Sequence, residues 1–160
     1  MLNVAVVGLG WWGRVVTQLL QQSSRFEVLM GVDPAAEAAG FARERKIALS
    51  GDYEKALADP RVQAVILCTP HSQHADQIVR AANAKKHVFC EKPLSLSRVD
   101  VLRAVDACNA NNVVLAVGHE KRFEPPIQEL MRLAHSGELD RKSTRLNSSH
   151  IQKSRMPSSA

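Results

Sequence analysis

A doubly wound α/β fold with a parallel sheet is predicted by three features of this 160-residue chain. Short apolar runs alternate with helix-like segments along its length. The first run leads into glycines spaced G-x-G-x-x-G, and the second run ends in an acid twenty residues beyond the last of them. Parallel strands are buried on both faces and read as unbroken apolar runs. Alternation with helices implies crossover connections rather than hairpins.

Residues 4–7 (V-A-V-V) are the first predicted strand. Gly8, Gly10 and Gly13 follow, each for a different physical need. Gly8 permits a tight turn out of the strand, Gly10 lets backbone approach a pyrophosphate, and Gly13 lets the next helix pack on the sheet. The helix start adds free N–H groups and a partial positive charge. Gly8, Leu9, Gly10, Trp11, Trp12 and Gly13 are therefore candidate cofactor-binding residues. Residues 28–32 form the second strand, and Asp33 stands where a carboxylate accepts hydrogen bonds from an adenosine ribose. This is a Rossmann-type dinucleotide pattern, with a purely structural glycine turn as the competing reading. An ionised Asp33 favours two ribose hydroxyls and repels a 2′-phosphate. Pro34, Ala35 and Ala36 offer no arginine for such a phosphate, so NAD is preferred to NADP. Flavoproteins share this opening, but the segments after the second strand argue against FAD.

Residues 34–46 read as a helix with proline at its start, 47–49 as a short strand and 52–58 as a short helix. Residues 63–67 form a buried strand. Pro70 opens a helix to about residue 84, with Ala75, Ile78, Val79 and Ala82 on one face. Residues 87–90 are the fifth strand, 97–111 a helix with Ser97 as N-cap, and 113–117 the sixth strand. Pro125 and Pro126 open a last helix that Gly137 ends. Ligands in such folds bind at the carboxyl ends of the strands.

Three polar clusters fall at those ends. Thr69-Pro70-His71-Ser72-Gln73-His74 begins a helix beside the expected cofactor, which makes Thr69, Pro70 and His74 candidates for contact with it. His71 and His74 lack a third ligand at suitable spacing, so no metal is expected. Glu91-Lys92-Pro93 follows the fifth strand. A lysine there can hold or protonate a hydroxyl or carbonyl oxygen, and a desolvated lysine is tuned for it. A surface ion pair before a turn is the competing reading. Gly118-His119-Glu120-Lys121-Arg122-Phe123-Glu124-Pro125 follows the sixth strand. There Arg122 can bind a phosphate, carboxylate or sugar oxygen, or the segment is a solvated loop.

The net charge of +5 suggests nucleic acid only until its location is seen. Residues 141–160 hold five of the 21 Lys and Arg and no acid. Removing them leaves 16, equal to the 16 Asp and Glu, so the body is neutral and no nucleic-acid partner is expected. The Ser-rich tail at 140–160 has no apolar periodicity and reads as disordered. Its start, Asp140-Arg141-Lys142-Ser143, is what the adapter bases GATCGGAAGAGC encode, so a non-native scar is expected and the native message is expected to stop near Leu139. A basic arm and an ordinary disordered terminus are the alternatives. Cys68, Cys90 and Cys108 are odd in number and form no C-x-x-C pair. No run is long and apolar enough to span a bilayer, so the reading is a cytoplasmic protein without a membrane partner.

Taken in order, G-L-G-W-W-G, V-D, T-P-H-S-Q-H, E-K-P and V-G-H-E-K-R-F-E-P resemble the glucose–fructose oxidoreductase / inositol dehydrogenase / rhizopine catabolism family over residues 2–139. The resemblance implies an oxidoreductase that passes hydride between a nicotinamide cofactor and a sugar, cyclitol or polyol hydroxyl. It implies that Lys92 is catalytic, contacting the reactive end of the cofactor and the substrate hydroxyl, with Glu91 beside it and a proline, Pro93, often preceded by a cis bond. Arg122 and Phe123 match the family's R-F pair. It also implies a second α/β domain, which supplies an acid/base histidine and the surface for homo-oligomer formation. That domain has no counterpart here: the family's G-x-L-G turn begins at Gly137, but Asp140 replaces its second glycine. The expected organisation is a dinucleotide-binding domain at 1–139 that is inactive alone. A non-catalytic dinucleotide-binding regulator is the alternative, against which Lys92 argues.

Overall fold

The computed structural model describes residues 1–137, and the expectations for the tail and for the boundary at Leu139 lie outside them. The chain divides into a unit spanning Met1–Gly118 and a second beginning at His119. The first contains six strands in one parallel sheet: β1 (Leu2–Val7), β2 (Phe26–Val32), β3 (Ala48–Ser50), β4 (Ala64–Leu67), β5 (His87–Cys90) and β6 (Leu115–Val117). Their spatial order is β3-β2-β1-β4-β5-β6. The chain builds outward from β1 in one direction, then returns to its other side with β4. The crevice between the ends of β1 and β4 is thus the topological switch point, where open α/β sheets receive ligands.

Five helices connect the strands: α1 (Trp11–Gln22), α2 (Ala38–Arg45), α3 (Tyr53–Ala58), α4 (His71–Asn83) and α5 (Arg98–Ala110). The V-A-V-V run is apolar throughout because successive side chains enter opposite cores. Val4 and Val6 pack in a layer with Phe41, Ala42 and Ile47, and Val16 and Leu20 of α1 lie against it. Ala5 and Val7 pack in the other with Tyr53, Ile78, Ala81 and Ala104, from α3, α4 and α5. Asp52 caps α3 by accepting the Glu54 N–H at 2.9 Å. Ser97 caps α5, as its sequence position predicts.

Three boundaries differ from the sequence reading for identifiable reasons. Pro34 does not start a helix. Asp33 Oδ1 accepts the Ala35 N–H at 2.8 Å, and the chain turns through residues 35–37, where the Ala35 and Ala36 carbonyls accept from the Ala38 and Ala39 N–H groups, before α2 begins. That local side-chain bond competes with helical pairing. The third strand is offset by one residue, leaving Ile47 in the core rather than in the ladder. The sixth is shorter than 113–117 because Asn112 takes positive φ and Val113 donates back to the Cys108 carbonyl.

The second unit's described residues form a 3-10 turn at Glu120–Phe123, which the sequence did not announce, and α6 (Pro125–Ser136). Pro at its first position and Gly137 at φ 78° bound α6, as expected.

Lys46, at the end of α2, has φ 56° and ψ 37°, a left-handed conformation that costs L-residues about 1–2 kcal/mol. After the entropy glycine loses on folding, Lys46→Gly is expected to add about 0.5–1 kcal/mol. In a chain of this size that raises Tm by roughly 2–4 °C, measurable by calorimetry. A lower Tm in the variant would contradict this reading of the cap.

Candidate functional site

The turn after β1 is built by backbone contacts that side chains would block. Gly8 has φ 88°, and a Cβ there would lie 2.8 Å from the Cys68 carbonyl oxygen at the end of β4. A Cβ on Gly13 would lie 1.8 Å from the Gly8 carbonyl oxygen. The first turn of α1 therefore rests directly on the strand exit, and Gly13 lies inside the helix rather than ahead of it. Gly10 differs: a Cβ there would meet nothing within 4 Å. Its glycine serves an open space beside the backbone, not a packed one. Gly10 caps α1 with no side-chain hydrogen bond, and the first turn of α1 carries no acid. The initial N–H groups of a helix lack partners one turn back, so this end presents donors to an anion. The space and donors fit a pyrophosphate.

Asp33 completes the arrangement. Its Oδ2 accepts the Leu9 N–H at 2.7 Å, and its Oδ1 accepts the Ala35 N–H at 2.8 Å. The carboxylate is fixed across the glycine turn, and its other lone pairs remain acceptors for hydroxyls. Leu9 contributes through its backbone, since its side chain is buried beside Gly31 and Ile47. Trp11 and Trp12 stand at the exposed start of α1 with ring centres 5.5 Å apart.

Across the crevice, Thr69 donates its hydroxyl to Gln77 Oε1 at 2.6 Å, and Pro70 precedes the first residue of α4. Direct cofactor contact by His74 is not what the geometry offers. The ring is 1 % exposed, with Nε2 2.8 Å from the Thr69 carbonyl oxygen and Nδ1 2.9 Å from that of Pro93. The pattern T-P-x-x-x-H could not reveal this, because Pro93 lies nineteen residues away.

At the end of β5, Glu91 Oε2 accepts the Lys92 N–H at 3.3 Å, and the Lys92–Pro93 bond is cis. The Glu91 carboxylate lies over Gly118, where a Cβ would come within 3.0 Å of it. Lys92 is exposed, so this chain does not itself desolvate the ammonium. Burial pushes the Cys68 and Cys90 thiols up to about 12, and the Glu91 charge adds to both shifts. Arg122 lies on the 3-10 turn of the second unit and is exposed. Among the described residues no group of His, Cys, Asp or Glu could hold a metal ion. No helix there is long and apolar enough to cross a membrane.

Sequence reasoning missed Arg14. Its Nε donates to the Leu9 carbonyl at 2.9 Å and a terminal nitrogen to the Glu37 carbonyl at 3.2 Å, with the guanidinium over Phe41. It buttresses the glycine turn through backbone oxygens, which no residue pattern announces.

The sequence profile of an oxidoreductase family with an NAD-binding Rossmann fold matches residues 2–119. The chain belongs to the Gfo/Idh/MocA family. Residues 2–119 match the family's NAD-binding fold, with the glycine turn and Asp33 at the switch point. Among curated relatives, the NAD(+) scyllo-inositol 2-dehydrogenase of Bacillus subtilis strain 168 is 36% identical over 141 residues, covering 86% of this chain and 41% of the relative. A 2,7-anhydro-N-acetylneuraminate hydratase of Escherichia coli K12 is 31% identical, covering 86% and 37%. The crystal structure of GenD2 from gentamicin A biosynthesis, in complex with NAD, matches with a TM-score of 0.80 and 30% identity, covering 86% and 40%. The chain thus spans about two fifths of the length of the curated relatives it matches.

Two glycines separate packing from binding. Gly13→Ala is expected to cost about 3 kcal/mol or more, because the new methyl meets backbone that cannot move aside. Gly10→Ala is expected to leave Tm nearly unchanged and to weaken NAD binding at least ~10-fold, about 1.4 kcal/mol. Thermal melts with NAD titration check both. Equal stability losses would contradict the assignment of the open space.

The two thiols also set an alkaline limit. The unfolded chain releases their protons near the usual cysteine range, about 8.5, before the folded chain does at about 12. The unfolded state then binds fewer protons, so their contribution is intact below pH ~8.5 and lost as pH rises toward 12. Urea midpoints between pH 8 and 10 should fall, and Cys90→Ala should flatten the slope. An unchanged slope in the variant would contradict the burial account.

Proposed function

We propose that this chain is the cofactor-binding part of an oxidoreductase that transfers hydride between NAD and a hydroxyl-bearing carbon of a sugar, cyclitol or polyol. The observation that carries the proposal is a shared edge. The glycine turn after β1, Thr69 after β4 and Glu91-Lys92 after β5 all lie at the carboxyl ends of neighbouring strands. The inositol specificity of relatives such as the Bacillus enzyme supports the substrate class.

In this reading the N–H groups at the start of α1 hold the pyrophosphate. Gly10 leaves room for it, and Gly8 and Gly13 keep the turn tight. Asp33, anchored by Leu9 and Ala35, accepts the ribose hydroxyls and repels a 2′-phosphate. Bound NAD supplies hydride acceptance at its nicotinamide. Lys92 holds the substrate hydroxyl and helps move its proton as the carbonyl forms. Arg122 is assigned to a cofactor or substrate oxygen. The rest of a full-length protein supplies the substrate walls and a second acid/base group, so the chain alone binds cofactor without turnover. Its three free cysteines suit the reducing cytoplasm, and assembly as a homo-oligomer belongs to the same proposal.

The chain is expected to bind NAD more tightly than NADP, and Asp33→Ala to narrow the gap. Titration calorimetry checks this, and equal affinities in the unmodified chain would remove Asp33 from the role. In a full-length dehydrogenase carrying this domain, Lys92→Ala should lower kcat at least ~100-fold with little change in NAD affinity. Near-normal kcat would return Glu91-Lys92 to a surface pair. Absence of nicotinamide reduction across a polyol panel would favour a non-catalytic regulator.

A further inference from the structure

We infer that His74 is a positioning residue that clamps the Lys92 loop to the cofactor loop. The inference rests on the reading of Lys92 given above. β4 and β5 are paired in parallel, with Leu67 opposite Cys90, and the Glu91 N–H donates to the Leu67 carbonyl at 3.0 Å. Beyond that point the two chains leave the ladder. One enters the Thr69 turn and the other carries Lys92. The His74 ring then links them, 2.8 Å from the Thr69 carbonyl oxygen and 2.9 Å from the Pro93 carbonyl oxygen. Carbonyl oxygens only accept, so the ring nitrogen that carries the proton donates to the carbonyl it faces, and the ring is wedged between the two.

The position of Lys92 gives this link its consequence. On one side its N–H is bonded to Glu91, whose carboxylate is seated over Gly118. On the other side the next residue, Pro93, is held by His74. The Lys92 backbone is therefore fixed from both directions, while its side chain extends into solvent. A long, flexible side chain reaches a defined place only if its backbone origin is defined, and small misplacements of a reacting group are costly. His74 also holds Thr69, so one buried ring sets the spacing between the cofactor loop and the lysine. A histidine that merely fills the core would be replaceable by phenylalanine without effect on Lys92.

The test is nuclear magnetic resonance on the full chain with saturating NAD. In the unmodified chain, a through-hydrogen-bond coupling should run from a His74 ring nitrogen to the Pro93 or the Thr69 carbonyl carbon, and Overhauser contacts should join the ring protons to both Thr69 and Pro93. Overhauser contacts should join the Lys92 side chain to the nicotinamide protons. In His74→Phe the Lys92–nicotinamide contacts should be lost while contacts between Asp33 and the adenosine ribose persist. Retention of the Lys92 contacts in a folded His74→Phe chain overturns the clamp and leaves the role of Lys92 standing. Their absence in the unmodified chain overturns the role of Lys92, and the positioning role with it. Should His74→Phe not fold, the ring decides alone: the coupling with ring contacts to both Thr69 and Pro93 supports the clamp, and absence of the coupling or of either contact overturns it.

Discussion

The close approach of α1 to the end of β1 is the constraint on which the rest of the site depends. The Gly8 carbonyl occupies the place where a Gly13 side chain would begin, and the Cys68 carbonyl crowds the side of Gly8. Backbone meets backbone at both contacts, so neither can relax by rotating a side chain. The geometry brings the start of α1 to the switch point between β1 and β4. With α1 seated there, its first N–H groups face the open space beside Gly10 rather than the core.

Around that contact, the polar bonds tie each loop to its neighbour. Asp33 joins the end of β2 to the glycine turn through Leu9, and Arg14 joins that turn to Glu37. His74 joins the loops after β4 and β5, and Glu91 sits over the end of β6. These partners are mostly backbone groups. A site built this way holds its shape through bonds to main-chain atoms that the sheet already fixes, which is how cofactor sites on loops can be pre-formed. The thiols of Cys68, partly buried, and Cys90, buried, lie within reach of the Glu91 charge at the same edge.

The succession of strands and helices and the glycine turn were legible because they rest on local rules. Apolar run length, glycine spacing and a strand-final acid need no knowledge of tertiary contacts. Ser97 and Gly137 were legible as caps for the same reason. The start of α2 was not, because Pro34 is a favoured first residue in general and the Asp33–Ala35 bond overrides it here. The left-handed backbone at Lys46 and Lys85 was hidden, since lysine carries no mark of that conformation. At the site, Asp33 and the glycines were visible, whereas the functions of Arg14 and His74 depend on carbonyls brought near by the fold. His74 was singled out for cofactor contact, and the fold gives its ring nitrogens to the Thr69 and Pro93 carbonyls.

The central claim is that an NAD molecule seats on the Gly8–Gly13 turn with its adenosine end at Asp33. An amide chemical-shift map of the labelled chain during NAD titration tests it most directly. The account predicts saturable shifts concentrated at Gly8, Gly10, Trp11, Trp12, Gly13 and Asp33, with little change along the outer face of α5. Absence of saturable shifts, or shifts centred away from the β1–β4 crevice, would contradict it.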